Sequence, residues 1–272
     1  MEAELPNSLG ELVPVANSEK RVSIGVAFLR QSMGRMYVLL VKPPYTYAIR
    51  GLCYTLGVTK PDLLNPEMVQ KYIDGLQQKE LDALKDTLSF SAMVESIYQS
   101  KLYIVPKVMA GYRASAHWLR LLKPTGGPTN VLWSFPKGGA DAEKETRLIT
   151  IEREIMEETG LKRGRYTILG IPPVTYEEMD GKYVFRVHIY FGELEQTVIF
   201  PTKDVPLTPT LRDMVTISKH SHEIESVEFV PLDELSRCLS TTVYKAFMDV
   251  LPMYVAHREK LAYDEIASLS IR

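Results

Sequence analysis

Residues Gly139–Leu161 read GADAEKETRLITIEREIMEETGL. Asp141, Glu143, Glu145, Glu152, Glu154, Glu157 and Glu158 crowd into this stretch, against Lys144, Arg147 and Arg153. Elsewhere the 272-residue chain is close to balance, with a net charge of -2. Leu148, Ile151 and Ile155 recur at helical spacing, and Gly160 stands where a glycine ends a helix. On that helix Glu154, Glu157 and Glu158 fall at i, i+3 and i+4, so their carboxylates share one face. Such like-charge neighbours repel by roughly a few tenths of a kcal/mol per pair. A hard divalent cation reverses the sign, because Mg²⁺ takes oxygen ligands and keeps waters that can meet a substrate phosphate. The stretch is therefore expected to be a metal platform for phosphate chemistry. A solvated acidic face is the plainer alternative, and REIMEE alone would not decide between them.

Composition bounds the rest. Hydrophobic residues make up 45% of the chain, enough for one or two domains with a real core. The sequence pI near 6.3 argues against a dedicated nucleic-acid coat, so any nucleic-acid contact must use a local patch. Cys53 and Cys238 lie far apart, outside any CxxC pattern, and read as buried free thiols of a reducing compartment. The acidic N-terminal residues carry no long apolar run, so no signal peptide is expected, nor any membrane span. A cytoplasmic location is the corresponding expectation.

Along the chain, residues 1–20 read as a polar arm. RVSIGVAFLR and RMYVLLVKPP, joined by QSMG, give a β-hairpin signal, and strands of the main domain are expected over 21–59. Residues 60–128 read as a mainly helical insertion, with Leu76, Leu81, Leu84, Leu88, Met93 and Ile97 at helical spacing over two helices and YRASAHWLRLLK as another. Residues 129–272 carry the acidic helix, then the strand-like runs GRYTILGIPPVTY, KYVFRVHIYFGEL and QTVIFPT. HEIESVEFVPLDELSRC reads as a strand leading into a helix with Asp233 as its cap, and the C-terminal segment as a closing helix interrupted near Pro252.

The spacing can now be written in full: Gly139, Glu145, Arg153, Glu154, Ile155, Glu157, Glu158, Gly160, Leu161. A pattern of seven fixed identities and two aliphatic positions arises by chance in such a chain with a probability on the order of 10⁻⁷. It is the Nudix box at every defined position, and the sequence resembles the Nudix hydrolases. The resemblance implies an α/β fold, the Nudix α/β/α sandwich, here with a helical insertion subdomain. It also implies hydrolysis of a nucleoside diphosphate linked to another group, with Mg²⁺ or Mn²⁺ as cofactor. Glu154, Glu157 and Glu158 would be metal ligands, helped by the carbonyl of Gly139, with Arg153 and Glu145 orienting the site.

Further resemblances bear on the substrate. WSFPKGG, residues 133–139, is similar to the W-x-F-P-K/R-G lead-in of mRNA decapping enzymes, and also to the W-x-x-P-x-G-G of diphosphoinositol polyphosphate phosphohydrolases. HEIESVEFVPLDEL resembles the decapping segment in which a Glu before a late strand is a metal ligand or general base, which maps onto Glu223. His220 and His222 beside it read as surface or packing residues. YAIRGLCY, the helical block and YRASAHWLRLL resemble the layout of decapping enzymes of large cytoplasmic DNA viruses of the poxvirus, African swine fever virus and mimivirus type. That resemblance implies capped mRNA as partner and the host cytoplasm as location. Lys101, Lys107, Arg113, Arg120 and Lys123 interleave with Tyr103, Tyr112 and Trp118, a pattern suited to phosphates and unpaired bases or, equally, to an amphipathic segment. Tyr176, Glu178, Asp180 and Tyr183, read as a loop between strands, and Trp133 are candidates for holding the methylated guanine. Lys137 is a candidate for neutralising charge in the transition state. The alternatives are a diphosphoinositol or dinucleoside polyphosphate hydrolase, and a non-catalytic RNA-binding module.

Overall fold

The computed structural model describes residues 10, 20–32, 34–126, 133–140, 145–180, 183–195 and 224–269. The chain divides into two compact units, one of Met1–Val41, Trp133–Ser221 and Ser226–Arg272, the other of Lys42–Leu132 and His222–Glu225.

The first unit is built on a mixed seven-stranded sheet. Strands β1 (Lys20–Ser32) and β2 (Arg35–Lys42) form the expected hairpin, with Leu29 opposite Val38 and Ser32 opposite Arg35. Gly34 supplies the positive φ of 76° at the turn. β3 (Lys137–Gly138) pairs antiparallel with β1. β4 (Tyr166–Ile168) and β5 (Val174–Asp180) both pair antiparallel with β6 (Tyr183–Leu194), and β6 runs parallel to β1 over Lys20–Phe28. β7 (Ser226–Pro231) completes the order β4-β6-β1-β2-β7.

Two-residue alternation along β1 sends Ala27 and Leu29 into a cluster with Phe135, Phe191, Phe247 and Tyr254. Phe247 and Tyr254 come from the C-terminal helix Thr241–Leu269. Ile24, Val26 and Phe28 are equally buried but alternate to the opposite face, where the acidic helix Arg147–Thr159 packs on β1. Helices thus cover both faces, as the Nudix sandwich requires. The C-terminal helix does not stop at Pro252, as the sequence suggests, but runs through it. The missing proline N–H forfeits one helical hydrogen bond, and the burial of Phe247, Leu251 and Tyr254 around it offsets that loss. Asp233 does not cap the short helix Leu235–Cys238; its carboxylate instead binds the Arg35 guanidinium at 2.8 Å. The run QTVIFPT lies outside the described residues.

The second unit is helical. Residues 21–59 do not continue as strands, because α1 (Tyr47–Val58) follows directly after β2. Its β-branched and aromatic residues suggest a strand locally, yet Ile49, Leu52, Cys53 and Leu56 fall on one buried helical stripe, and packing overrides propensity. α2 (Pro66–Asp74), α3 (Gln78–Lys85), α4 (Thr87–Ile97) and α5 (Val105–Leu119) follow, so the expected pair of helices before residue 98 is in fact three. The breaks are short capped turns: Asn65 caps α2, and Asp86 accepts the Ser89 amide at 2.7 Å to start α4. At residue 111 a Cβ would collide with the Leu56 carbonyl, so glycine lets α1 and α5 touch backbone to backbone. Burial, with Glu80 nearby, pushes the Cys53 thiol well above its ordinary range, so it is an inert packing group. Cys238 is likewise in no disulfide and is half-buried in the first unit. Among the described residues, no helix is long and apolar enough to cross a membrane.

Candidate active site

The acidic helix, here α6, is locally determined at both ends. Thr146 caps it, its hydroxyl accepting the Ile149 amide at 3.3 Å, and Gly160 ends it in the left-handed conformation at φ 73°. Its inner face is Thr150, Ile151, Ile155 and Thr159, with Leu148 only partly buried. Sequence reading missed the two threonines. Thr159 satisfies its hydroxyl on the Ile155 carbonyl at 2.6 Å, and Thr150 donates to Glu145 at 3.0 Å. Buried hydroxyls with partners cost little, and an i, i+4 bond of this kind leaves no signal in hydropathy.

The outer face gathers the box residues around one guanidinium. Arg153 donates to Glu154 at 2.8 Å, to Glu157 at 3.1 Å, to Glu145 at 3.5 Å and to the Gly139 carbonyl. Glu154 is 12% exposed and Glu157 is 52% exposed. Glu158 accepts the Lys137 backbone amide at 2.9 Å. A Cβ at residue 138 would fall on the Glu154 carboxylate, and one at residue 25 would strike the Pro136 carbonyl and Lys137. The glycines at 25 and 138 therefore let β3 pair closely with β1 and pass against α6, which puts the lead-in strand against the carboxylates.

A divalent cation can be tested against these groups. Among the described residues, no three acidic or imidazole side chains already stand as a closed metal cage. What the site offers is a set of hard oxygens, from Gly139, Glu154 and Glu157, that already converge on one positive charge, with Glu158 one helical step away. The donor set is all oxygen, which suits Mg²⁺ or Mn²⁺ and not a thiolate-seeking metal.

Other expected site residues fall differently. Lys137 is close to the box, its side chain 8% exposed and its ammonium 2.9 Å from Glu178. Trp133 is half-buried against the sheet core, its amide on the Cys238 carbonyl at 2.9 Å. Tyr176 is a correction: it sits in the middle of β5, not in a loop, and is 6% exposed in the core cluster, so it offers no ring face to a base. Asp180 and Tyr183 close the β5–β6 hairpin, and their side chains are not among those described. Glu223, His220 and His222 lie outside the described residues.

In the helical unit Lys101 and Arg113 are exposed, as are Lys107 and Lys123. Trp118 is half-buried against the helical core. Tyr112 is fully buried and stacks on Phe90 at 4.1 Å. Arg120 is occupied within the unit, donating to Thr87 at 2.9 Å and to the Tyr112 hydroxyl at 3.2 Å. Burial therefore takes Tyr112 out of the basic-aromatic surface, while Arg120 is exposed but hydrogen-bonded to its own unit.

A mixed sheet thus lies between helices, with a glycine-bearing strand leading into an Arg-centred carboxylate helix. Residues 115–250, half of the chain, match the NUDIX domain, and the chain belongs to that family. No curated protein matches it. Among solved structures it is similar to an Ap4A hydrolase from C. elegans. In a binary complex that enzyme is 12% identical over 88% of this chain and 98% of its own, with a TM-score of 0.43; a second structure, covering 88% and 96%, has a TM-score of 0.39. A mutT/nudix family protein from Listeria innocua is 12% identical over 96% and 99%, with a TM-score of 0.36.

Proposed function

We propose that this Nudix hydrolase cleaves a 5′–5′ polyphosphate bridge between two nucleosides, with free dinucleoside polyphosphates as substrate ahead of capped mRNA. A 5′ cap is itself such a bridge, so the two substrates share the reaction and differ in what surrounds it. The observation that carries the reading is the convergence of Gly139, Glu154 and Glu157 oxygens on Arg153, with Glu158 and Lys137 alongside. Gly139, Glu154, Glu157 and Glu158 would hold Mg²⁺ or Mn²⁺. Such an ion, when bound, polarises a phosphate and lowers the pKa of an attacking water. Arg153 keeps the Gly139 carbonyl and the Glu154 carboxylate aimed together. Glu157, or Glu223 from beyond the box, accepts the water's proton. Water adds to phosphorus, the bridging P–O bond breaks, and the leaving phosphate takes the electron pair beside the Lys137 ammonium.

The ranking of substrates rests on what the fold uses up. Tyr176 belongs to the core, Tyr112 is internal and Arg120 is tied to Thr87, which thins both the expected cap pocket and the expected RNA track. Capped mRNA stands as the second reading because Lys101, Lys107 and Arg113 remain exposed, together with Tyr103 at 73%. Cleavage of a cap would release m7GDP and RNA ending in a 5′-monophosphate.

The test is a rate comparison, in Mg²⁺ and in Mn²⁺, on dinucleoside polyphosphates, cap-labelled RNA and diphosphoinositol polyphosphates. The free dinucleotide is expected to give the highest kcat/KM. Preference for capped RNA promotes the second reading. A protein that binds RNA yet turns over nothing, as inert as its Glu157→Gln variant, would be a binding module instead.

A further inference from the structure

Glu178 stands on the wrong side of its strand for a surface carboxylate. Along β5, Val174 and Tyr176 face the core while Thr175 and Glu177 are exposed, so alternation turns Glu178 inward with the apolar pair. Its side chain is 33% exposed, and it accepts from an ammonium, that of Lys137, which is only 8% exposed. An ion pair this withdrawn from water is weak evidence for stability, since its desolvation cost rivals its attraction and apolar residues of like volume often serve as well. Its presence needs another reason, and Lys137 supplies one. The same residue that gives its ammonium to Glu178 gives its backbone amide to Glu158 at 2.9 Å. It also lies on β3, opposite Gly25 of β1 and directly before the Gly138–Gly139 approach to Glu154.

We infer that Glu178 is a positioning residue for the reaction: it holds the Lys137 side chain in place, so that the lead-in strand presents its ammonium to the departing phosphate and its amide to Glu158. Glu178 acts through Lys137 and does not touch substrate. The strand that carries it belongs to neither the box nor the lead-in, so nothing in the box spacing marks it. This deepens the proposed function and rests on it.

The experiment measures kcat, KM and Tm for Glu178→Gln, Lys137→Met and the double variant Lys137→Met/Glu178→Leu, using whichever polyphosphate substrate the wild type turns over best. Glu178→Gln is expected to lower kcat by about 10-fold to 100-fold, the usual scale for an outer partner of a reacting group, with KM unchanged. The double variant is expected to fold with a Tm no lower than wild type and to be no slower than Lys137→Met alone, because the two residues form one unit. An unchanged kcat in Glu178→Gln, a loss confined to KM, a loss that follows a fallen Tm, or losses that multiply in the double variant each overturn the assignment. A wild type that cleaves no substrate of this class overturns the proposed function instead, which is a different result.

Discussion

Glutamates in the two units solve opposite problems. Glu80 in the helical unit is fully buried, and its oxygens take the Thr46 amide at 2.7 Å, the Thr46 hydroxyl at 2.8 Å and the Gln77 amide at 2.9 Å. Every lone pair that matters has a donor, so this carboxylate stitches the start of α1 to the start of α3 and is finished. On α6 several carboxylates crowd together instead. Glu145, Glu154 and Glu157 share one guanidinium, and Glu158 receives a neutral amide. A lone carboxylate held by neutral donors is structure; several carboxylates crowded around a shared guanidinium are placed for a cationic ligand.

The sharpest way to break that contrast is to neutralise one member on each side. Glu157→Gln should cut turnover by more than the roughly 10-fold to 100-fold typical of an outer partner, while its Tm holds or rises as repulsion is relieved. Steady-state kinetics beside a thermal melt checks both halves. Glu80→Ala should do the reverse in kind. It strands the Thr46 and Gln77 donors and should cost about 2–4 kcal/mol in denaturant unfolding. A Glu80 variant as stable as wild type would mean that the buried donors find other partners.

Smaller effects sharpen the same picture. Thr146→Ala removes the cap that sets where α6 begins and should cost about 1 kcal/mol by chemical denaturation, with some loss of turnover as the box helix frays. The smallest is a pH effect in the helical unit. The Thr125 amide holds Asp74 below the usual carboxylate range, Lys85 does so for Asp82, and the Ser89 amide for Asp86. Groups with depressed folded pKa values stabilise at pH above their unfolded value, near 3.9, and that contribution is lost as pH falls through the depressed one. Circular dichroism should therefore show helix loss only below about pH 4, and Asp86→Asn should flatten it.

The site was more legible in sequence than the units around it. The box spacing located α6, its C-terminal glycine and its carboxylate face, because those depend on i, i+3 and i+4 geometry alone. The β1–β2 hairpin and β6 were equally plain from alternation and turn residues. What escaped depended on tertiary partners. α1 carries strand-like residues that only packing against α5 makes helical. Tyr176 reads as polar-aromatic loop chemistry, yet its strand period assigns it to the core. Glu178 reads as loop chemistry for a cap pocket, yet it lies on β5 and meets an ammonium 41 positions away in the chain. The resemblance to viral decapping enzymes named a substrate from motifs in the lead-in and the insertion, and the fold spends several of those residues on its own interior.

The central claim is that Glu154, Glu157 and Glu158 are gathered on one side of α6 for the sake of a divalent ion. Calorimetric titration of Mn²⁺ into the wild-type protein and into its Glu154→Gln and Glu157→Gln variants tests it most directly. A saturable heat at millimolar concentration or below in the wild type, weakened or lost in both variants, is the predicted result. Identical titrations for all three proteins would contradict it.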